Sequence, residues 1–470
     1  MTFEVRQAIA NKFVRTTCLS GFRADQSGNV AMVFGLMAIV LMLAVGAAID
    51  IGRWLHARDQ TVTAVDAAVL AGARELQTNN KDETTALATA QKFYAQNTAS
   101  RLPVTNDTIA FAIGGDGISV VANGTAYLKT PFLQLANIDK LPLFGQGQQP
   151  VARAQLAVGG NGGESIEVAM MLDITGSMSG QKLTDLKTSA SDLINIVVWE
   201  DQSKFTSKVA IVPFSEDIRM PNTTALNKAR GTSLPATRTT GSGSNKTTYY
   251  LSDCVVERTG TQKYTDAAPG SGQYVMGHYT TSSTGSGSNK KGVCSIPAGA
   301  EIMPLSTDKT SLLAKINGLS AGGGTAGHLG TAWAWYTLSP SWSSLWPAST
   351  PAAYGTDKLQ KIAILMTDGE YNTQYDSNGI SANQNATSCP QAANGCSTAQ
   401  ARALCTAMKA KGIVVYTVGF DLGGNQTAID TLTQCATDPS KFYNAANDGN
   451  QLQQAFRDIA LKLSSLYLSK

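Results

Sequence analysis

Residues 30–49 form a run of twenty with no charged or hydrogen-bonding side chain. A run of that length and composition leaves the chain few choices. In hydrocarbon a segment must satisfy its own N–H and C=O groups, which a helix does. At 1.5 Å per residue, twenty residues reach about 30 Å, the thickness of a bilayer core. A buried core helix is the competing reading, but uncharged runs this long are rare in soluble domains. A cleaved signal peptide fits less well, because the apolar region is too long and no polar cleavage region follows. Arg6, Lys12, Arg15 and Arg23 precede the run against Glu4 and Asp25, a bias that keeps that end in the cytoplasm. The expected layout is a cytoplasmic N-terminus at 1–29, a transmembrane helix at 30–50, and everything beyond on the far side.

Composition narrows the rest. The chain has 470 residues, enough for two or three domains, and 43% hydrophobic residues, enough for a sizeable core. A net charge of only +3 gives no sign of nucleic-acid binding. His56, His278 and His328 are too scattered for a zinc motif, and neither C-x-x-C nor H-E-x-x-H occurs. Of seven cysteines, Cys18 precedes the apolar run, and Cys254, Cys294, Cys389, Cys396, Cys405 and Cys435 follow it. Six on the far side suit an oxidising compartment. Cys405 and Cys435 lie on predicted helices flanking one strand, so they are paired. Cys389 and Cys396 enclose a small loop, and Cys254 with Cys294 then closes the large insertion described below.

From 53 to 77 apolar residues recur at helical spacing, so the membrane helix is expected to run on into an amphipathic one. Thr78-Asn79-Asn80 breaks it, and Asp82 can cap a second helix through about Tyr94. Residues 118–122 and 152–158 read as strands between glycine-rich turns. Gly159-Gly160-Asn161-Gly162-Gly163 is a flexible linker that ends a unit spanning 51–160.

The remainder, 165–470, alternates strands and helices, the pattern of a doubly wound α/β domain. Strands are expected at 166–172, 209–214, 362–366, 413–418 and 442–443. Helices are expected after Gly180, at 309–319, after Thr325, at 398–411, around Leu432, and from Leu452 to Leu463. Two stretches interrupt the pattern. Residues 221–300 are rich in Ser, Thr and Gly, and about 370–397 form a second insertion. In Trp333-Ala334-Trp335-Tyr336 the aromatics are read as core packing rather than a ligand box.

Chemistry concentrates where strands end. Asp173-Ile174-Thr175-Gly176-Ser177 follows the first strand of this domain, so a carboxylate and two hydroxyls alternate through a tight turn. Ligands of open α/β sheets bind at the carboxyl ends of strands, and hard cations prefer oxygen donors. The D-x-T-x-S pattern resembles the metal-ion-dependent adhesion site (MIDAS) of von Willebrand factor A (vWA) domains. That family adds a Thr and an Asp from two later loops. Thr325 follows Gly322-Gly323-Gly324, and Asp368 ends the run Ile362-Ala363-Ile364-Leu365-Met366-Thr367, both in the matching chain order. Helix capping alone would not account for all three loops. The resemblance implies a Rossmann-like vWA fold and a divalent cation, Mg²⁺ before Mn²⁺ or Ca²⁺, held by Asp173, Thr175, Ser177, Thr325 and Asp368. It also implies that a partner's Asp or Glu completes the coordination.

A second resemblance covers the N-terminal part. The basic leader, the span ending Ala48-Ile49-Asp50-Ile51-Gly52-Arg53, and the segment Ala64-Val65-Asp66-Ala67-Ala68-Val69-Leu70-Ala71-Gly72 resemble TadE/TadG-like proteins of tight adherence (Flp) pilus systems. A helix leading into a small β unit is pilin-like. No Glu lies five residues after Gly28, where Val33 stands, so cleavage by a prepilin peptidase is not expected. Together the resemblances imply a TadG-like, non-enzymatic protein of the bacterial inner membrane, with its bulk periplasmic or within a pilus. Its partners would be pilus or secretion machinery, or an extracellular protein or surface. Two rivals stand beside this reading: a metal-assisted hydrolase, for which His328 is the nearest candidate base, and a structural scaffold with a vestigial metal site.

Overall fold

The computed structural model describes residues 28–78, 82–115, 117, 119–145, 149–155, 164–384, 387–464 and 467–469. The basic leader, Cys18 and the glycine linker lie outside them. The chain divides into two compact units, one built on residues up to Glu75 and on Asp82–Gln155, the other on Leu156–Tyr467.

In the first unit, the expected membrane helix and its amphipathic continuation are one helix, α1 (Gly28–Thr78). Its first half leaves Val30, Phe34, Met42 and Val45 exposed, whereas Ala57, Ala64, Val65, Ala68 and Val69 are buried. The helix is long and apolar enough to cross a membrane. Asp82 caps α2 (Glu83–Thr98) by accepting from the backbone N–H of Thr85 at 3.2 Å. Strands β1 (Ala110–Ile113) and β2 (Ser119–Asn123) pair antiparallel. A hairpin of β3 (Tyr127–Lys129) and β4 (Lys140–Pro142) follows, and β5 (Ala152–Gln155) adds to the other edge of β2.

The second unit is organised around β6 (Ser165–Asp173), where every side chain past Ser165 is buried. A parallel strand covered on both faces must read as a continuous apolar run, and this one does. Alternate residues face opposite ways. Ile166, Val168, Met170 and Leu172 pack with α3 (Gln181–Val197). Ala169 and Met171 pack into a separate cluster on the other face.

After α3 come β7 (Ser207–Phe214), β8 (Ile218–Arg219) and α4 (Thr223–Arg230). Residues 221–300, expected as a polar insertion, also contain β9 (Thr237–Thr240), β10 (Thr247–Arg258), β11 (Val275–Thr280), β12 (Ser283–Thr284) and β13 (Lys291–Gly292). These form a sheet with β10 at its centre, to which β8 also pairs. Next come β14 (Met303–Ser306), α5 (Lys309–Asn317), α6 (Gly327–Leu338) and β15 (Leu359–Thr367). The second insertion carries the hairpin of β16 (Thr373–Tyr375) and β17 (Ser381–Gln384). The chain then runs through α7 (Ser397–Ala410), β18 (Val414–Phe420), α8 (Gln426–Cys435), β19 (Phe442–Ala445) and α9 (Gly449–Leu463).

The main sheet has the order β14-β7-β6-β15-β18-β19. All pairings are parallel except β14 with β7. This is the doubly wound order, and its reversal point lies between β6 and β15. Helices α3, α5 and α9 cover one face, through Leu193, Leu312 and Phe456. Helices α6 and α7 cover the other, through Trp333 and Leu404. Trp333, Trp335 and Tyr336 are buried, and Tyr336 stacks on Trp342 with ring centroids 3.9 Å apart, so the aromatic cluster is core.

Three disulfides join Cys254 to Cys294, Cys389 to Cys396 and Cys405 to Cys435, as expected. Their closures span 40, 7 and 30 residues respectively. Longer closures restrict the unfolded chain more, so the 40- and 30-residue ones should each stabilise by about 3–4 kcal/mol and the short one by less. Peptide mapping without reduction is expected to recover these three links, and the double variant Cys405→Ala/Cys435→Ala to lose stability of that order in denaturant unfolding. Free thiols at these positions, or an unchanged unfolding midpoint, would contradict the assignment.

Candidate metal centre

The reversal point of the sheet is where Asp173 and Asp368 stand, at the ends of neighbouring parallel strands. Asp173 closes β6 opposite Phe214 of β7. It is fully buried, and Asp368 nearly so. Burying a carboxylate costs free energy unless donors replace its water. Asp173 Oδ1 accepts from the backbone N–H of Thr175 at 2.9 Å and from its hydroxyl at 2.6 Å. Asp173 Oδ2 accepts from the hydroxyl of Thr367 at 2.6 Å. Ser177 Oγ donates to Asp368 Oδ1 at 2.7 Å. Lys182, in the first turn of α3, donates to Asp368 Oδ2 at 3.0 Å and pairs with Asp421 at 2.9 Å.

One detail of this chain bears on what it can hold. Thr175 Oγ1 and Ser177 Oγ lie 2.9 Å apart. Each hydroxyl has a single hydrogen. With those hydrogens directed at Asp173 and Asp368, the two oxygens face each other with lone pairs only. A small hard cation satisfies such a set, and all the donors are oxygens. The residues therefore fit a divalent ion of the Mg²⁺ type.

Thr325 arrives on a separate loop. The N–H of Gly322 donates to the carbonyl of Ile174, and the N–H of Gly176 to the carbonyl of Gly323, both at 2.8 Å. Gly323 has φ +83°, and a Cβ there would come within 2.8 Å of Ser215 Oγ, so glycine is required for this approach. The carbonyl of Thr325 accepts from Asn372 and Thr373. Hydrogen bonds thus link Asp173, Thr175, Ser177 and Asp368 through their side chains, while Thr325 is brought up by its loop without a side-chain bond to them. Thr367, Lys182 and Asp421 were not singled out in the sequence. Thr367 hid within an apolar run, and the other two are ordinary surface types whose relevance depends on the fold.

His328 is hydrogen-bonded to a carboxylate other than those of Asp173 and Asp368. Its Nε2 lies 2.8 Å from Glu257, and its ring lies against Tyr375. A grouping of Asp217 with Cys254 and Cys294 is no metal site, because the sulfurs are joined to each other. Asp217 instead accepts from the N–H groups of Ser295 and Ile296 and contacts His278 at 2.7 Å.

Burial, and then the nearby charge of Asp368, push the Asp173 carboxyl up to about 6, against the opposing hydrogen bonds from Thr175 and Thr367.

Residues 28–75 match the sequence profile of the family described as "Putative Flp pilus-assembly TadE/G-like". No curated protein matches the chain. Among solved structures the chain is similar to the vWF domain of the type V pili tip protein Mfa5 from Porphyromonas gingivalis, at 14% identity over 63% of this chain and 94% of that one, with a TM-score of 0.34. It is similar to the pilus adhesin RrgA from Streptococcus pneumoniae, at 10% identity over 77% of this chain and 50% of that one, with a TM-score of 0.39. It is also similar to proximal thread matrix protein 1 from the mussel byssus, with zinc occupied MIDAS motif, at 10% identity over 65% and 47% and a TM-score of 0.30.

Two expectations follow from the electrostatics. Asp173 holds its proton more tightly in the metal-free fold than in the unfolded chain. Its contribution to metal-free stability is therefore most favourable below the ordinary value of 3.8 and declines as pH rises toward about 6. A cation bound at Asp173 would have to displace that proton, so apparent Mg²⁺ affinity in calorimetric titration should fall roughly ten-fold per pH unit below about 6. A flat profile between pH 5 and 8 would contradict the coupling.

Lys182 supplies the one positive charge bonded to Asp368 among the described residues. In Lys182→Ala the metal-free form should be less stable. The cation should bind on the order of ten-fold tighter, because a competing charge is gone. Weaker binding by this variant would mean that Lys182 organises the site instead of competing for it.

Proposed function

We propose that the chain is a non-enzymatic, membrane-anchored component of a Flp pilus-assembly or adherence system, whose α/β unit binds a partner through a divalent cation. In this reading α1 crosses the inner membrane with the N-terminus cytoplasmic, and the α/β unit lies in the periplasm or within a pilus. The observation that carries the reading is the chain of hydrogen-bonded oxygens from buried Asp173 and Thr175 through exposed Ser177 to buried Asp368, on a protein whose residues 28–75 are TadE/G-like. Asp173, Thr175, Ser177, Thr325 and Asp368 would hold the ion, directly or through water. Two carboxylates against a divalent charge leave no excess negative charge, so an open coordination position would favour an anionic oxygen such as a partner's Asp or Glu. The helix dipole of α3 points its positive end at the site, which disfavours a bare cation and makes both carboxylates necessary.

Hydrolysis needs a positioned base beside the metal. His328, paired with Glu257, supports no such role. The binding reading is therefore preferred over the enzymatic one.

The test is calorimetric titration of the full-length protein in detergent with Mg²⁺ and with Mn²⁺. Wild type should bind, and Asp173→Ala and the near-isosteric Asp173→Asn should not, while both variants stay folded. Bound metal should raise stability by about 2.7 kcal/mol at a hundred-fold excess over the dissociation constant. Capture of partner proteins should be lost with chelator and with either variant. No binding by wild type, or equal binding by all three proteins, would refute the site.

A further inference from the structure

The segment 130–139 joins β3 to β4 and docks on α1 near the end of its apolar stretch. A Cβ added to Gly46 would lie 2.6 Å from Phe132 Cβ, so the loop reaches the helix backbone at that point. One turn further along, Asp50 Oδ2 accepts from the N–H groups of Phe132 and Leu133, each at 2.8 Å. Arg53 Nη1 lies 3.5 Å from the other oxygen. Asp50 is thereby wholly buried. The loop is internally closed as well, because Thr130 N–H donates to the Asp139 carbonyl and Ile138 N–H to that of Leu133.

This ordered loop turns its apolar side chains outward. Leu135 is 77% exposed, and Phe132 and Ile138 are each 41% exposed. Their neighbours on α1, Leu41, Met42, Val45 and Ile49, are exposed too, so the loop extends one apolar surface. Lys129 and Lys140, cross-strand partners in the hairpin, mark the loop's neck. Gly46 lies three residues before Ile49, the last residue of the uncharged run, which places it about 4–5 Å inside the hydrocarbon boundary. Phe132, resting on Gly46, is then at the depth of the acyl chains.

We infer that the loop 130–139 is a second membrane contact, inserting Phe132, Leu135 and Ile138 into the lipid leaflet on the side opposite the N-terminus, with Lys129 and Lys140 at the level of the phosphate headgroups. The inference rests on α1 being the anchor. Three physical arguments converge on lipid as the occupant: apolar continuity with the span, depth set by Gly46, and basic residues where anionic headgroups would lie. The loop also answers a problem that Asp50 poses. A carboxylate at the edge of the hydrocarbon is costly unless protein donors cover it, and the first turn of the loop supplies two.

The test places nitroxide labels on the full-length Cys18→Ser protein at Leu135→Cys, Ile138→Cys, Lys140→Cys and, in mid-span, Val40→Cys. The protein is reconstituted in phosphatidylethanolamine–phosphatidylglycerol vesicles, and collision of each label with oxygen is compared with collision with a water-soluble nickel chelate. Oxygen should dominate at Leu135 and Ile138 as it does at Val40, and the chelate at Lys140, with oxygen-to-chelate ratios several-fold apart. Chelate access at Leu135 with lipid exposure at Val40 would overturn the inference and leave the anchor standing. Chelate access at Val40 would overturn the anchor and the inference with it. Exclusion of both reagents at Leu135, with spin–spin broadening between labels, would mean that a second copy covers the loop, and would also overturn it.

Discussion

Asp173 and Asp368 are both buried at one edge of the sheet because β6 and β15 are adjacent parallel strands, paired from Leu359 with Ser165 to Leu365 with Met171. Parallel pairing brings the carboxyl ends of both strands to the same edge of the sheet. In doubly wound sheets ligands bind at that edge, where the strand order reverses. Two carboxylates held so close repel each other and lack water to screen them. Burial first, and then the charge of Asp368, push the Asp173 carboxyl up. Much of the surrounding structure can be understood as relief of that repulsion: Thr175 and Thr367 donate to one carboxylate, Ser177 and Lys182 to the other.

Relief by hydroxyls is incomplete in a specific way. Each hydroxyl has one hydrogen, and directing both at the carboxylates sets Thr175 Oγ1 against Ser177 Oγ with nothing between them. Lys182 neutralises one charge from the side and is itself held by Asp421. That third carboxylate would keep the ammonium partnered if a stronger cation took its place at Asp368.

The first unit meets the same constraint by other means. Asp50 is as deeply buried as Asp173, yet its donors are two backbone N–H groups from a turn that has no other use for them. At the start of a 3₁₀ turn these groups lack internal partners, so carboxylate and turn satisfy each other. A buried acid satisfied by backbone donors and Arg53 has little to gain from a cation. Asp173, whose donors are two hydroxyls and one backbone N–H with no cationic side chain among them, has more to gain.

Much of this was legible in the chain itself, and for a physical reason. The apolar run of α1, the two-sided burial of β6 and the oxygen-rich turn after it are local patterns, written in consecutive residues. The cysteine pairs were readable too: Cys405 and Cys435 from helices flanking one strand, Cys389 and Cys396 from their short spacing, and Cys254 with Cys294 as the pair that remained. What sequence could not disclose depends on residues far apart. Lys182 is 186 positions from the carboxylate it pairs with, and His328 is 71 from Glu257. The sheet built on β10 looked like a Ser/Thr/Gly-rich insertion, since pairing of its short strands is decided by register across turns and not by composition. The turn at Phe132 read as nothing in particular until it was seen against Gly46. Local sequence determined which atoms could bind a cation or enter a bilayer. Tertiary structure alone decided which of them meet, because burial and charge pairing are properties of atoms brought together and not of the order in which the chain supplies them.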